Sequence, residues 1–359
     1  MASDPVSIAK SVVEQELSRL FGEVEAAAKH TSPRLSQLAW IIRDFTLRGG
    51  KRFRATLVLA GFWSRRWGRE LDDDVRKVMA SVELLQSYLL VHDDIMDRDE
   101  IRRGGPTAHA WFRDVCVKEG LLADCPHYGV SQGITVGDLL ESLAVRLLSS
   151  TSPDVARPLI SRYTDGLMKV AFGQYLDVLL ASLPLEQVSE QDVITVHTLK
   201  TASYTVELPL HLGAIVSRES STKLLNELSK YAIPAGVAFQ LRDDIIGLFG
   251  KTEVTGKPVG SDVVQKKKTL LVVKAYEFAG ESERTRLREI YSTGKQPSVD
   301  DVNFVVRTVE ETGALDYTLR VIDRYVAEAN RAIDEMTETS REAREFLREL
   351  LLKMAYREV

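Results

Sequence analysis

Cysteine is scarce in this chain: Cys116 and Cys125 are the two among 359 residues. Two cysteines exclude a disulfide framework, and their surroundings hold no zinc-ligand spacing. They read as reduced thiols, which predicts a cytoplasmic protein. Charge of one sign is lacking too. Lys and Arg number 47 against 52 Asp and Glu, a formal charge of −5. No global basic field is available for nucleic acid. Long apolar runs are missing, and none reaches the ~20 residues that span a bilayer. No transmembrane segment is expected, so any membrane link runs through substrate or product. Met1 to Lys29 is acidic and amphipathic, without the apolar stretch of a signal peptide. Strand-like alternation of useful length, internal repeats and low-complexity linkers are absent as well.

What is present is helical periodicity. It covers residues 6–28, 34–47, 54–67, 72–98, 135–149, 152–180, 190–216, 220–248, 270–279 and 302–356. Ser32-Pro33 and Ser152-Pro153 read as helix starts, with Ser at the cap and Pro in the first turn. Gly49-Gly50, Gly104-Gly105-Pro106 and Gly256-Lys257-Pro258 read as breaks. With 44% hydrophobic residues there is ample material for a large core. The expectation is an all-α fold: one domain over residues 1–359, a large helical bundle around a central cavity.

Two aspartate pairs lie inside these apolar stretches. Asp93-Asp94-Ile95-Met96-Asp97 follows Tyr88-Leu89-Leu90-Val91-His92, and Asp243-Asp244-Ile245-Ile246-Gly247 follows Phe239-Gln240-Leu241-Arg242. Desolvation opposes ionised carboxylates there unless cations or hydrogen bonds compensate. Positions i and i+4 share a helix face, so Asp93 and Asp97 project together and Asp94 is offset. Hard cations such as Mg²⁺ take oxygen ligands and share them between one or two carboxylates and substrate phosphates. Basic residues cluster at helix breaks: Lys51 and Arg54 after Gly49-Gly50, Arg102-Arg103 before Gly104-Gly105, and Lys266-Lys267-Lys268 before Thr269. Helix starts offer free N–H groups to anions, and Arg suits bidentate phosphate contacts. Lys200-Thr201 sits inside a mainly apolar helix. No set of spaced His ligands accompanies His92-Asp93, and none of the six histidines is required.

In this order, the motifs resemble the trans-type isoprenyl diphosphate synthases, the polyprenyl synthetase family of farnesyl and geranylgeranyl diphosphate synthases. The resemblance runs from about Leu38 to Ala279 and continues more weakly beyond. It implies that Lys51, Arg54, Gln86 and Arg103 bind isopentenyl diphosphate. Asp93, Asp94 and Asp97 match the first aspartate-rich motif, which binds Mg²⁺ and the allylic diphosphate. Arg102, Lys200 and Thr201 match residues on the allylic diphosphate. Gly173-Gln174 and Asp177 match a Gly-Gln-x-x-x-Asp element near the metals. Gln240 with Asp243 and Asp244 matches the second aspartate-rich motif, and Lys257 and Lys267 match phosphate-binding lysines. The family's second motif ends in Asp where this chain has Gly247, which leaves Asp262 as a partial replacement. The implied cofactor is Mg²⁺, three ions per site, with Mn²⁺ as a substitute, and the implied assembly is a homodimer.

The implied reaction is ionisation of an allylic diphosphate (dimethylallyl, geranyl or farnesyl) and attack by the isopentenyl double bond on the cation. Departing pyrophosphate takes the final proton. The growing chain would run down the helix beneath Asp93, past Tyr88, Leu89 and Leu85. In the family, an aromatic five residues before the first Asp goes with geranylgeranyl products, and Tyr88 holds that place. Geranylgeranyl diphosphate is therefore the expected product. Farnesyl diphosphate and a non-catalytic role in a heteromeric synthase are the alternatives. A class I terpene cyclase fits poorly: it would lack Lys51, Arg54 and Arg103 and would carry a different second motif.

Overall fold

The computed structural model describes residues 4–250, 260–292 and 295–357. The all-α expectation holds, with a single two-residue hairpin as the described β-structure. The helices group into two compact units: residues 1–162 with 209–220, and residues 163–208 with 221–359.

The first unit contains α1 (Pro5–Thr31), α2 (Ser36–Leu47), α3 (Phe53–Phe62), α4 (Asp73–Asp97), α5 (Ala108–Glu119) and α6 (Cys125–Ser149). Local chemistry sets the ends of α4. The Asp72 side chain accepts from Val75 N, Asp73 and Asp74 lie in the first turn, and Arg98 closes the helix in the left-handed region. Nearly everything from Val78 to Ser87 is buried, as expected of a helix packed on several faces. α6 begins ten residues earlier than its periodicity predicts. Asp124 caps it, and Pro126 occupies the first turn. Gly129, Gly133 and Gly137 look like helix breakers in the sequence. In the fold they are contact points, because a Cβ there would strike His109 O, Ile95 and His92 respectively.

Reduced cysteines are the expectation that fails. Cys116 near the end of α5 and Cys125 at the start of α6 form a disulfide. The tight α5–α6 reversal brings their Cα atoms to 5.5 Å, inside the range a disulfide spans. The cytoplasmic expectation rested on free thiols and loses that support.

The second unit takes its first helical turns from the later part of α7 (Pro153–Ser182). It continues with α8 (Glu190–Val196), a π-helical segment (His197–Glu207) and α10 (Thr222–Phe249), while α9 (Leu208–Val216), after its first residue, belongs to the first unit. Then come α11 (Ser261–Val264), α12 (Leu270–Phe278), α13 (Glu281–Ser292), α14 (Val299–Glu311), α15 (Ala314–Glu335) and α16 (Arg341–Ala355). The predicted run over 190–216 is continuous, but its winding widens to i→i+5 bonding across the π segment. The predicted run over 302–356 divides, because Gly313 takes a positive φ and Ser340 caps a new helix. Among the described residues, no helix is long and apolar enough to cross a membrane.

Candidate diphosphate and metal site

In the first unit, the Gly49–Arg54 turn is built by charge as much as by glycine. Gly49 and Gly50 have φ of 70° and 119°, and Arg52 takes the left-handed region at 48°. A buried ion pair holds Arg52 there: Nη1 lies 3.4 Å from Glu83 Oε2 on α4, and Nη2 donates to Thr46 O at 3.1 Å. Glu83 Oε1 also accepts from Ala55 N at 3.2 Å, anchoring the first turn of α3. Removing one partner of such a pair costs ~3–5 kcal/mol. Lys51 is left exposed and Arg54 half-buried at the start of α3, while Gln86 is buried one turn beyond Glu83. The sequence marks Arg52 only as one more basic residue; Glu83, its partner, carries no signal.

Arg103 joins this turn from the hairpin. Ile101–Arg102 pairs antiparallel with Gly105–Pro106, and Arg103 and Gly104 both have positive φ, as a type I′ turn requires. Arg48 at the end of α2 donates to Pro106 O at 2.6 Å and fills the space beside Gly105. The Arg103 guanidinium lies 3.7 Å from where a Cβ on Gly50 would stand, so glycine permits the approach. Burial lowers the pKa of Arg103, and the neighbouring Arg52, Arg54 and Arg102 push the same way against Glu83. Like charges gathered at a glycine turn make a receptor for a multiply charged anion.

The three aspartates at the C-terminal end of α4 have unequal surroundings. Asp93 and Asp97 are half-buried. Asp94 is fully buried and bonded to Arg102 Nε, while Arg102 Nη2 reaches Asp99 at 3.2 Å. Burial pushes the Asp94 carboxyl up to about 7 despite Arg102. Below Asp93 on α4, Leu89 is half-buried one turn away and Leu85 belongs to the buried core. The half-buried Tyr88 ring packs edge-on to His92 at 4.9 Å. Burial raises the Tyr88 pKa, and Glu141 and Asp138 of α6 add to it.

In the second unit, close helix approach gathers the remaining residues. A Cβ on Gly173 of α7 would lie 2.4 Å from Lys200 N, so the backbone of the π segment rests directly on Gly173. Lys200 Nζ donates to Asp177 Oδ2, one turn along α7 from Gly173, and Gln174, next to Gly173, is half-buried. Thr201 Oγ1 donates to Gln240 Oε1 at 3.0 Å, and Gln240 Nε2 donates to Asp244 Oδ1 at 2.9 Å. Asp243 is 35% exposed and faces Arg357, whose guanidinium also lies 4.6 Å from the Phe239 ring centroid. Gly247 lies one turn beyond Asp243, and a Cβ there would fall 2.3 Å from Asp262 Oδ2. The Asp262 carboxylate of α11 therefore occupies the space that a side chain at position 247 would enter. Lys267 is half-buried, and its N–H donates to Asp262 O at 2.9 Å. Lys257 lies outside the described residues.

Among the described residues, no three His, Cys, Asp or Glu side chains converge into a ready metal cage. Within each unit the half-buried carboxylates, Asp93 and Asp97 in the first and Asp243 and Asp262 in the second, offer hard oxygen donors of the kind that Mg²⁺ takes.

The Polyprenyl synthetase family profile matches residues 36–309. The chain is 31% identical to the geranylfarnesyl diphosphate synthase of Aeropyrum pernix over 310 residues, covering 84% of this chain and 89% of that one. It is 32% identical to the geranylgeranyl diphosphate synthase of Mycobacterium tuberculosis over 287 residues, covering 80% and 75%. A solved geranylgeranyl pyrophosphate synthase of Corynebacterium glutamicum, complexed with isoprenyl diphosphate and magnesium, superposes with a TM-score of 0.91. It is 29% identical and covers 99% of this chain and all of that one. The basic glycine turn, the two aspartate pairs and the Lys-Thr segment all fall within the matched residues, and the chain belongs to the polyprenyl synthetase family.

Proposed function

We propose that this chain is a short-chain trans-prenyltransferase that joins isopentenyl diphosphate to dimethylallyl, geranyl and farnesyl diphosphates and yields geranylgeranyl diphosphate. The observation that carries the reading is the gathering of Arg52, Arg54 and Arg103 at the Gly49-Gly50 turn. A terpene cyclase has no use for a second diphosphate receptor, whereas a transferase must hold two diphosphates.

In this reading Lys51, Arg54 and Arg103 hold isopentenyl diphosphate, with Gln86 lining the same region. Arg102, Lys200, Lys257 and Lys267 neutralise the allylic diphosphate, and both aspartate clusters serve one reaction. Mg²⁺, three ions per site, supplies Lewis-acid stabilisation of the leaving group, and Mn²⁺ substitutes. Asp93, Asp97 and Asp243, the accessible aspartates, are the direct ligands, and Asp262 completes the second cluster over Gly247. Asp94 and Asp244 act one step back, as buried anchors for Arg102 and Gln240. Lys and Arg groups fixed by their own partners need no reorganisation when pyrophosphate leaves. Thr201 and Gln240 present oxygens to the developing cation, and apolar walls keep water away. The departing pyrophosphate removes the final proton, so no dedicated base is required. Tyr88, with Leu89 and Leu85, sets the depth available to the product. The working assembly is a homodimer.

Labelled isopentenyl diphosphate with each allylic diphosphate and Mg²⁺, resolved by chromatography, tests the proposal. Linear geranylgeranyl diphosphate is expected, and a farnesyl end product would move the chain-length floor. Cyclic hydrocarbon would identify a cyclase. No product without a second protein would identify a non-catalytic subunit.

A further inference from the structure

Asp244 faces inward and both its oxygens are engaged by protein groups. His197 Nε2 lies 2.9 Å from Oδ2, and Gln240 Nε2 donates to Oδ1 at 2.9 Å. Gln240 in turn accepts from Thr201 at 3.0 Å. His197 and Thr201 are four residues apart on the π segment, and Gln240 and Asp244 are four apart on α10. Two side chains of one element therefore meet two of the other, and the bonds run as one chain from Thr201 through Gln240 and Asp244 to His197. Below them, Gly236 lets α10 approach closely, since a Cβ there would lie 2.5 Å from Ala202 Cα. Lys200 lies between His197 and Thr201 in sequence yet turns to Asp177 on α7.

We propose that His197 is a positioning residue for the transfer reaction, acting through Asp244. This rests on the prenyltransferase reading above. A proton on His197 Nε2 satisfies Asp244 Oδ2 and clamps the π segment to α10. The clamp fixes the segment that carries Lys200 and Thr201 to the helix that carries Asp243, the accessible neighbour of Asp244. Without His197, Asp244 keeps Gln240 but loses the donor at Oδ2, and the buried carboxylate draws the Gln240 amide away from Thr201. The damage falls on ionisation of the allylic diphosphate, not on metal affinity.

The test compares wild type, His197→Phe, His197→Gln and Asp243→Asn. Gln returns an N–H donor at about the reach of Nε2, whereas Phe keeps the ring and removes the donor. Steady-state transfer to geranyl diphosphate gives kcat and KM, and electron paramagnetic resonance counts bound Mn²⁺. His197→Phe should lose roughly tenfold to a hundredfold in kcat, the range seen when groups that orient a ligand are removed. Its Mn²⁺ binding should match wild type, His197→Gln should recover most of the rate, and Asp243→Asn should lose Mn²⁺. Wild-type kcat in His197→Phe, or equal losses in the Phe and Gln variants, overturns the inference. Should His197→Phe not fold, the same question is put to His197→Asn, whose shorter amide falls short of Asp244, to Asp244→Asn and to their double variant. Non-additive losses in kcat then support the clamp, and additive losses overturn it. A wild-type chain with no transfer activity would instead defeat the prenyltransferase reading.

Discussion

A single methyl group at Gly247 separates two accounts of the second aspartate cluster. Its carbon would stand 2.3 Å from Asp262 Oδ2 and 2.8 Å from Asp262 Cγ. Comfortable contact lies near ~3.5 Å, so Gly247→Ala must push the carboxylate back by roughly 1 Å. Two stability effects oppose each other. Ala in a helix interior gains ~0.5–1 kcal/mol over Gly, and over-packing costs ~1–3 kcal/mol where neighbours cannot yield. The group in the way is the end of a short side chain, which can rotate. The net stability change should therefore lie within about 1 kcal/mol of zero. Function should move further, since disturbing a group that completes or orients a metal site costs ~10–100-fold in affinity. Mg²⁺ titration of product formation and direct Mn²⁺ binding measure it. Gly247→Asp combined with Asp262→Ala moves the carboxylate from α11 to α10 and should restore the metal response. A Gly247→Ala protein that is more stable than wild type, with unchanged metal dependence, would show that Asp262 has no part in the cluster.

Other perturbations follow from the same geometry. Arg103→Ala should raise KM for isopentenyl diphosphate by roughly tenfold to a hundredfold, the weight of charge-assisted bonds. Thermal stability should be retained, because Arg103 is crowded by Arg52 and Arg54; unchanged KM would remove it from the anion receptor. Tyr88→Ala should lengthen the product, read by chromatography of the diphosphates; an unchanged product would place the floor elsewhere. Reducing the Cys116–Cys125 bond opens the short loop that the bond closes in the unfolded chain, and should cost ~2–3 kcal/mol in denaturant titrations with and without reductant. Identical curves would mean that the two cysteines are free thiols.

The helical class and most long helices were legible in periodicity, because core burial dictates it. The α6 start was not, since three glycines mimic a break until the facing helices are present. α5, at twelve residues with only five of them buried, is short and half-exposed, and no run is expected there. At the site, ordered motifs identified the charged residues, but spacing cannot distinguish an accessible aspartate from a buried one. Asp93 and Asp243 stay accessible while Asp94 and Asp244 turn inward, and this depends on what packs beside α4 and α10. Glu83, His197 and Arg357 gain meaning only from partners distant in sequence, Arg52, Asp244 and Asp243. The closeness of the Asp262 carboxylate to Gly247 is likewise visible in space and not in spacing.

The central claim is that one carboxylate-assisted ionisation is coupled to carbon–carbon bond formation. Pyrophosphate released from geranyl diphosphate, measured against isopentenyl diphosphate consumed, tests it most directly. The account predicts one pyrophosphate per isopentenyl unit, dependence on Mg²⁺, and a loss of at least about a hundredfold in Asp93→Asn and in Asp243→Asn. Release without consumption of isopentenyl diphosphate, or release that survives both substitutions, would contradict it.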